Sequence, residues 1–157
     1  MKKLALSFKY AFCGIGFCIK SCRNFRIHMV AAAYVWYFSR FYGNDTVIDS
    51  LLLIIFALVL AAEAINCALE QVCNTITTEK NTYIKHAKDA AAGAVLITAL
   101  FAAAVWFMFY FRIQAISEIY MYIVSSPLRL ILFTLSVVIS VLFIFYEDIL
   151  KNGKERN

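Results

Sequence analysis

LVLAAEAINCALEQVCNTITTEKNTYIKHAKD, residues 58–89, decides how the chain folds and where its chemistry lies. The first part closes a long apolar run that starts near residue 47, and the last turns of that run carry Glu63, Asn66 and Glu70. On a helix, spacings of three and four residues place these polar groups on one face. At a rise of about 1.5 Å per residue the two carboxylates stand roughly 10 Å apart along the axis. A short polar stretch follows, and Lys88-Asp89 opens the next apolar run. Acids and an amide are costly in an apolar helix at a bilayer boundary. Ionisable groups in that position face a partner helix or a wet cavity and mark a site.

The chain has 157 residues, the length of one domain, and 63% of them are hydrophobic. A globular domain of this size cannot hide so much apolar surface, so the excess must face lipid. The fold class expected is all-α: an integral membrane helical bundle with an N-terminal amphipathic surface helix and four transmembrane helices. The formal net charge of +5 is unevenly spread, with Lys2, Lys3, Lys9, Lys20, Arg23 and Arg26 all near the start. Basic residues mixed with aromatics suit an anionic membrane surface. No nucleic-acid-binding motif is present, and no nucleic-acid partner is expected. Lys9 and Lys20 interrupt the first apolar stretch, so no cleavable leader is expected.

Working outward, residues 2–21 read as the surface helix, with Lys2, Lys9 and Lys20 on a thin polar stripe. The first span covers about 27–43 and ends in an aromatic belt of Trp36, Tyr37, Phe41 and Tyr42. GNDT at 43–46 makes a tight turn. The second span is about 47–73, a polar loop with Lys80, Lys85 and His86 runs from 74 to 86, and the third span is about 88–111. Ala90, Ala91, Ala92, Gly93 and Ala94 at its start permit close helix approach. Residues 113–157 add a connection, a fourth span at about 130–146 and a basic tail with Lys151, Lys154 and Arg156. Cationic clusters then place both termini and the 74–86 loop in the cytosol, and the expected location is the inner (cytoplasmic) membrane, multi-pass.

Five cysteines stand at 13, 18, 22, 67 and 73, with no metal or redox spacing among them. All five are expected as reduced thiols, buried or at the interface.

The residues alone allow two readings of the 63–89 constellation. A carboxylate near the headgroups can take a proton from a hydroxyl, and a second can hold Mg²⁺ beside a phosphate. A lysine can neutralise charge on a transferring phosphoryl group. The alternative is a polar contact between helices of the bundle.

EAINCALEQVCN, residues 63–74, resembles the E-x-x-N-[ST]-[SA]-x-E-x-x-x-D signature of the prokaryotic diacylglycerol kinase family. KHAKDAAAGAV, residues 85–95, is similar to that family's block around a Lys-Asp pair. RNFRIH, residues 23–28, resembles the N-terminal block of its Gram-positive branch, whose members phosphorylate undecaprenol. The resemblance covers roughly residues 5–112, a family-like domain of 1–112, and leaves the fourth span outside it. It implies a homotrimeric membrane enzyme without a P-loop that transfers the γ-phosphoryl group of Mg-ATP to a lipid hydroxyl. The acceptor it implies is undecaprenol, with diacylglycerol as the alternative. Glu63 would be the general base and Glu70 the Mg²⁺ ligand. Asn66, Lys88, Asp89, Arg23 and Lys85 would contact or support the nucleotide. Glu63, Asn66, Arg26 and His28 would meet the lipid.

Three positions depart from the family pattern, one of them Cys67, where the family has a small hydroxyl after the residue at Asn66. Cys22 stands where the family usually has a glutamate that helps bind the metal nucleotide, and Asn74 replaces the closing aspartate. A thiol is a poor Mg²⁺ ligand, so these changes are expected to weaken nucleotide binding. They motivate a second hypothesis, a degenerate relative that binds lipid or nucleotide, or partners an active kinase, without turnover. A third, a small transporter, would use Glu63 and Asn66 as a substrate path, but these groups lie near one end of the span and not at its middle.

Overall fold

The computed structural model describes residues 2–43, 46–76, 81–111 and 113–155. Asn44 and Asp45 of the expected turn, Lys80, Arg156 and the side chains of Lys2, Lys151 and Lys154 lie outside the described residues. Every described element is helical: α1 (Lys2–Ser21), α2 (Arg23–Ser39), a 3-10 turn (Arg40–Tyr42), α3 (Thr46–Ile76), α4 (Thr82–Tyr110), α5 (Ile113–Val124) and α6 (Pro127–Glu155).

Sequence explains several of the boundaries. α1 and α2 are separated by Cys22 alone, which is extended at φ −115° and ψ 103°. The last carbonyls of α1 would be left without donors there. Arg26 supplies them: its guanidinium donates to the carbonyls of Ile19 at 3.1 Å and Lys20 at 2.7 Å. At the other end of α2 the chain reverses at Gly43, whose φ of 62° is left-handed and suits a residue without a Cβ. Asn81 starts α4 by accepting from the backbone N–H groups of Tyr83 at 2.9 Å and Ile84 at 3.3 Å. Pro127 opens α6 at the first helical position, where its missing N–H costs nothing.

α3 and α4 form the longest helix pair, α2 lies against α3, and α6 lies against α2. At 31 residues α3 is about 46 Å long, more than a hydrocarbon core of about 30 Å requires. Glu63 stands roughly 26 Å from its start and Glu70 roughly 36 Å, so the acidic turns fall in the second half of a helix that is longer than the core. Large apolar side chains such as Leu96, Leu100, Phe101, Met108, Ile131 and Leu135 are exposed along α4 and α6. Surface of that kind needs lipid. The molecule is a multi-pass membrane protein built as an α-helical bundle.

Among the described residues, four helices are long and apolar enough to cross a bilayer: Lys3–Ser21, Thr46–Ile76, Thr82–Tyr110 and Pro127–Glu147. The sequence reading also counts four, but with 27–43 as a span and 2–21 on the surface. α2 ends at Ser39 and has only 17 residues, so length and composition favour α1 instead. Packing separates the two differently. α2 is held between α3 and α6, whereas α1 meets the bundle only near its C-terminus, where Cys18 is buried.

Other boundaries shift as well. α2 starts at Arg23, four residues before the expected span, because Arg23 and Asn24 prolong the helix past the apolar run. The expected 74–86 loop narrows, since α3 continues to Ile76 and the Asn81 cap starts α4 at Thr82. The connection at 112–129 contains α5, which packs back on α6 and on the 3-10 turn.

Candidate active site

One end of the bundle holds a polar cavity of about 300 Å³ between the α1–α2 junction, α3 and α6. Glu63, Cys67, Glu70 and Gln71 line it from α3. Cys22, Arg23, Asn24 and Arg26 face it from the junction, with Ser21 beside them, and Glu147 comes from α6. The spacing on α3 brings this about. Positions 63, 66, 67 and 70 share one face of the helix, and that face turns inward at the end where α3 outruns the hydrocarbon.

Glu63 and Asn66 are buried, at 2% and 4% exposure. Glu63 Oε2 and Asn66 Oδ1 find no hydrogen-bond donor among the described residues. A buried acceptor without a donor costs about 1–3 kcal/mol, and a charged one more, so two together are not a stabilising device. Glu70, one turn from Cys67, is exposed.

Arg26 is the most buried cation among the described residues, at 1% exposure. Besides the two α1 carbonyls, its Nε donates to the carbonyl of Ile144 on α6 at 3.0 Å, and the guanidinium lies 5.3 Å from the Tyr146 ring. Three helices thus converge on one side chain, which forms the wall of the cavity. Arg23 lies 5.7 Å from the Phe145 ring, also on α6.

Cys22 and Cys67 are joined as a disulfide, with Cα atoms 6.3 Å apart. This corrects the expectation of five reduced thiols. Cys13, Cys18 and Cys73 are free. The pairing spans 45 residues of sequence and depends on the α1–α2 junction meeting α3.

Asn66 is buried on the same stretch of α3 but does not line the cavity, and neither do the remaining expected site residues. Lys88 Nζ donates to Asn74 Oδ1 at 2.6 Å and so joins the start of α4 to the end of α3. Asp89 and Lys85 are exposed near the start of α4. His28 faces a separate apolar groove of about 300 Å³ between α2, α3 and α4, lined by Ala31, Val35, Leu52, Val59 and Trp106 among others. Val59 is one turn before Glu63, so this groove runs along α3 toward the polar cavity. Ser21, Asn24, Gln71 and Glu147 are cavity residues that the sequence reading missed. Gln71, next to Glu70, was within its reach, but nothing in sequence connects Glu147 to α3.

The geometry defines a class: a small helical membrane protein with an acid-bearing polar site at one end. The family model of prokaryotic diacylglycerol kinase matches residues 9–110, and the chain belongs to that family. Over 103 residues it is 35% identical to the diacylglycerol kinase of Synechocystis sp.. That stretch is 65% of this chain and 59% of the relative, so the chain spans well under two thirds of the relative's length. No solved structure matches the chain. α5 and α6 lie beyond the residues that the family model matches, yet α6 contributes Glu147 and the Ile144 carbonyl to the site.

Proposed function

We propose that the protein is an ATP-dependent lipid kinase that transfers the γ-phosphoryl group to the hydroxyl of a membrane lipid, with undecaprenol as the acceptor and diacylglycerol as the alternative. The observation that carries this reading is a polar cavity and an apolar groove that both draw on α3, with Glu63, whose Oε2 has no donor among the described residues, in the lining of the cavity. A lipid alcohol has that same division, with a long apolar chain and one reactive oxygen.

Glu63 takes the proton of the lipid hydroxyl as its oxygen bonds to the γ-phosphorus and the bond to the ADP oxygen breaks. Asn66 orients the phosphates, and Lys88 and Asp89 support the nucleotide from α4, with Arg23 and Lys85 at the rim. Among the described residues no three His, Cys, Asp or Glu side chains gather into a metal cage. Mg²⁺ ordinarily needs only one or two carboxylates and takes its other ligands from phosphate and water. Glu70 and the free oxygens of Glu63 and Asn66 are hard donors that suit it, with Glu70 as the principal ligand. When bound it would neutralise charge on the transferring phosphoryl group. His28 meets the lipid along the groove. Arg26 has its guanidinium engaged by backbone carbonyls, so its part is to hold the wall against which the lipid lies.

The topology we infer has both termini in the cytosol, the polar cavity on that side, and α1 along the membrane surface. The cationic clusters at 2–26, 80–88 and 151–156 support it. A homotrimer is proposed from the family alone. Purified protein with labelled ATP, Mg²⁺ and a panel of undecaprenol, diacylglycerol and other lipid alcohols tests the reaction. Label should enter undecaprenol fastest. Label in no lipid removes the kinase reading and leaves the degenerate relative, which nucleotide binding without turnover would identify.

A further inference from the structure

A further opening of about 440 Å³ lies between α2 and α6, with the end of α5 across its mouth. It shares no lining residue with the polar cavity or with the apolar groove on α3. Val30 and Ala33 of α2, with Leu132 and Phe133 of α6, give it apolar walls. The Tyr34 hydroxyl lies 3.0 Å from Ser136 Oγ and 3.2 Å from Ser140 Oγ, so the polar groups deep in the opening are bonded to one another. Arg129, in the first turn of α6, is the one charged residue that lines it among the described residues.

The bonding of Arg129 leaves half of its guanidinium open. Nη1 donates to the carbonyl of Tyr122 at 3.0 Å and to Ser125 Oγ at 3.2 Å, and the group lies 4.2 Å from the Tyr122 ring. Those contacts hold the side chain against the end of α5. Nε and Nη2 have no hydrogen-bond partner among the described residues, and no carboxylate there forms an ion pair with this arginine. Nε and Nη2 make up one edge of the planar fork, the edge that takes two oxygens of a phosphate side by side. A cation at a membrane boundary with that edge free calls for an anionic partner.

Depth and lining say what carries the anion. Arg129 stands at the start of the apolar stretch Pro127–Glu147, hence at one boundary of the bilayer. At about 1.5 Å per residue, Ser140 lies roughly 16 Å further along α6. That is about half of a hydrocarbon core of about 30 Å, the thickness of one leaflet. The opening therefore has a cation at the boundary and apolar walls down to mid-depth, the same order of groups as a lipid with a charged headgroup and a chain beneath it. Left empty, such a space would forfeit dispersion contacts on both walls.

We propose that the opening between α2 and α6 binds one anionic glycerophospholipid, with its phosphate on Nε and Nη2 of Arg129 and one acyl chain between Ala33, Leu132 and Phe133. The site does not depend on the kinase reading, since it lies at the other end of α2 from the polar cavity. Arg26 ties α6 to the α1–α2 junction through the Ile144 carbonyl, and the lipid braces α6 against α2 where Arg26 does not reach.

The experiment uses the full-length protein in phosphatidylcholine nanodiscs that contain a small, fixed fraction of a photoreactive lipid. Two probes carry the same diazirine-bearing acyl chain, one on phosphatidylglycerol and one on phosphatidylcholine. After irradiation, peptide mapping by mass spectrometry should place phosphatidylglycerol adducts at Ala33, Leu132 or Phe133. Their yield there should exceed that of the phosphatidylcholine probe about tenfold, while the exposed face of α4 labels equally with both. Arg129→Gln should abolish the preference, and Arg129→Lys, which keeps the charge but not the fork, should retain part of it. Ala33→Phe fills the opening and should remove its adducts without changing those on α4. Equal yields from the two probes in the opening overturn the proposal, as does a preference that survives Arg129→Gln. Absence of adducts in the opening overturns it too, and is the result expected if a second copy of the chain sits there. The two-probe comparison is made on wild type, so a variant that folds poorly cannot decide the outcome.

Discussion

α3 carries one acid in its first turn and another just past its middle, and the two are treated in opposite ways. Asp49, in the first turn, forms an ion pair with Arg40, which also lies 4.5 Å from the Trp36 ring and donates to Ser39 Oγ. Ser39 Oγ in turn donates to the carbonyl of Trp36 at 2.8 Å. Charge, ring and hydroxyl close on one another, and the group fixes the 3-10 turn against α3. Glu63, in the second half of the helix, is more deeply buried and has one oxygen with no donor among the described residues. A structural acid is given a partner. An acid left without one in a cavity is kept for a reaction or a ligand, because its burial opposes folding.

The comparison breaks most readily at Glu63. Glu63→Gln keeps the shape and removes the basicity, so lipid phosphorylation should fall by about 10²–10⁴ if the side chain is a general base. Nucleotide binding should persist, and thermal stability should hold or rise, since a buried charge is removed. Full activity in Glu63→Gln would end the base assignment. Marked destabilisation would make Glu63 a structural acid like Asp49.

Arg26 is the next largest effect, and it acts on the fold. Arg26→Ala leaves the carbonyls of Ile19, Lys20 and Ile144 without their donor and opens a space in the wall. We expect a loss of roughly 3 kcal/mol in stability, read as a lower denaturation midpoint in mild detergent. Protease cleavage between α5 and α6 should rise with it. An Arg26→Ala protein as stable as wild type would mean that α6 is not held through this side chain.

These two residues also mark how far the sequence could be read. Glu63 was legible because its neighbours at 66 and 70 share its helical face, and a short-range period suffices to see that. The spans at α3, α4 and α6 were legible for the same reason, as apolar runs that a globular core could not absorb. Arg26 reads in sequence as a cation of the basic N-terminal segment and, through the RNFRIH resemblance, as a lipid contact, not as a tie between helices. Its acceptor on α6 lies 118 residues away, and no local pattern encodes that distance. The Cys22–Cys67 pair was hidden in the same manner. α5 was missed because IQAISEIYMYIV is too short for a span and sits between two spans, where a loop is the usual reading. Its Ala115 is buried, so packing within the bundle, and not the local sequence, reveals its role.

Glu70 tests the comparison at intermediate strength. It lies one turn past Cys67, is exposed, and is assigned to the metal. Glu70→Gln keeps a neutral oxygen but loses the anionic one, so the Mg²⁺ needed for half-maximal phosphorylation should rise about tenfold, near 1.4 kcal/mol. Excess Mg²⁺ should restore most of the rate. An unchanged Mg²⁺ dependence would move the ligand to another carboxylate of the cavity, and Glu147→Gln would then be the variant to measure.

The smallest effect belongs to Asp49, and its smallness is the point. The Arg40–Asp49 pair is only partly sheltered, with side chains 47% and 24% exposed. Ion pairs of that kind contribute about 0–1 kcal/mol, because solvent screening offsets most of the attraction. Asp49→Asn retains a side-chain oxygen that Arg40 can still reach, so the change should be under about 0.5 kcal/mol in the denaturation midpoint. Phosphorylation rate and Mg²⁺ dependence should match wild type, since Asp49 stands roughly 21 Å along the helix from Glu63. Added salt should shrink even the small stability difference, as screening does for exposed charges. If Asp49→Asn instead lowered turnover as steeply as Glu63→Gln, the two halves of α3 would not be divided between structure and chemistry. The reacting group would then have to be sought at the Arg40 end, or at a contact between subunits that brings the two halves together.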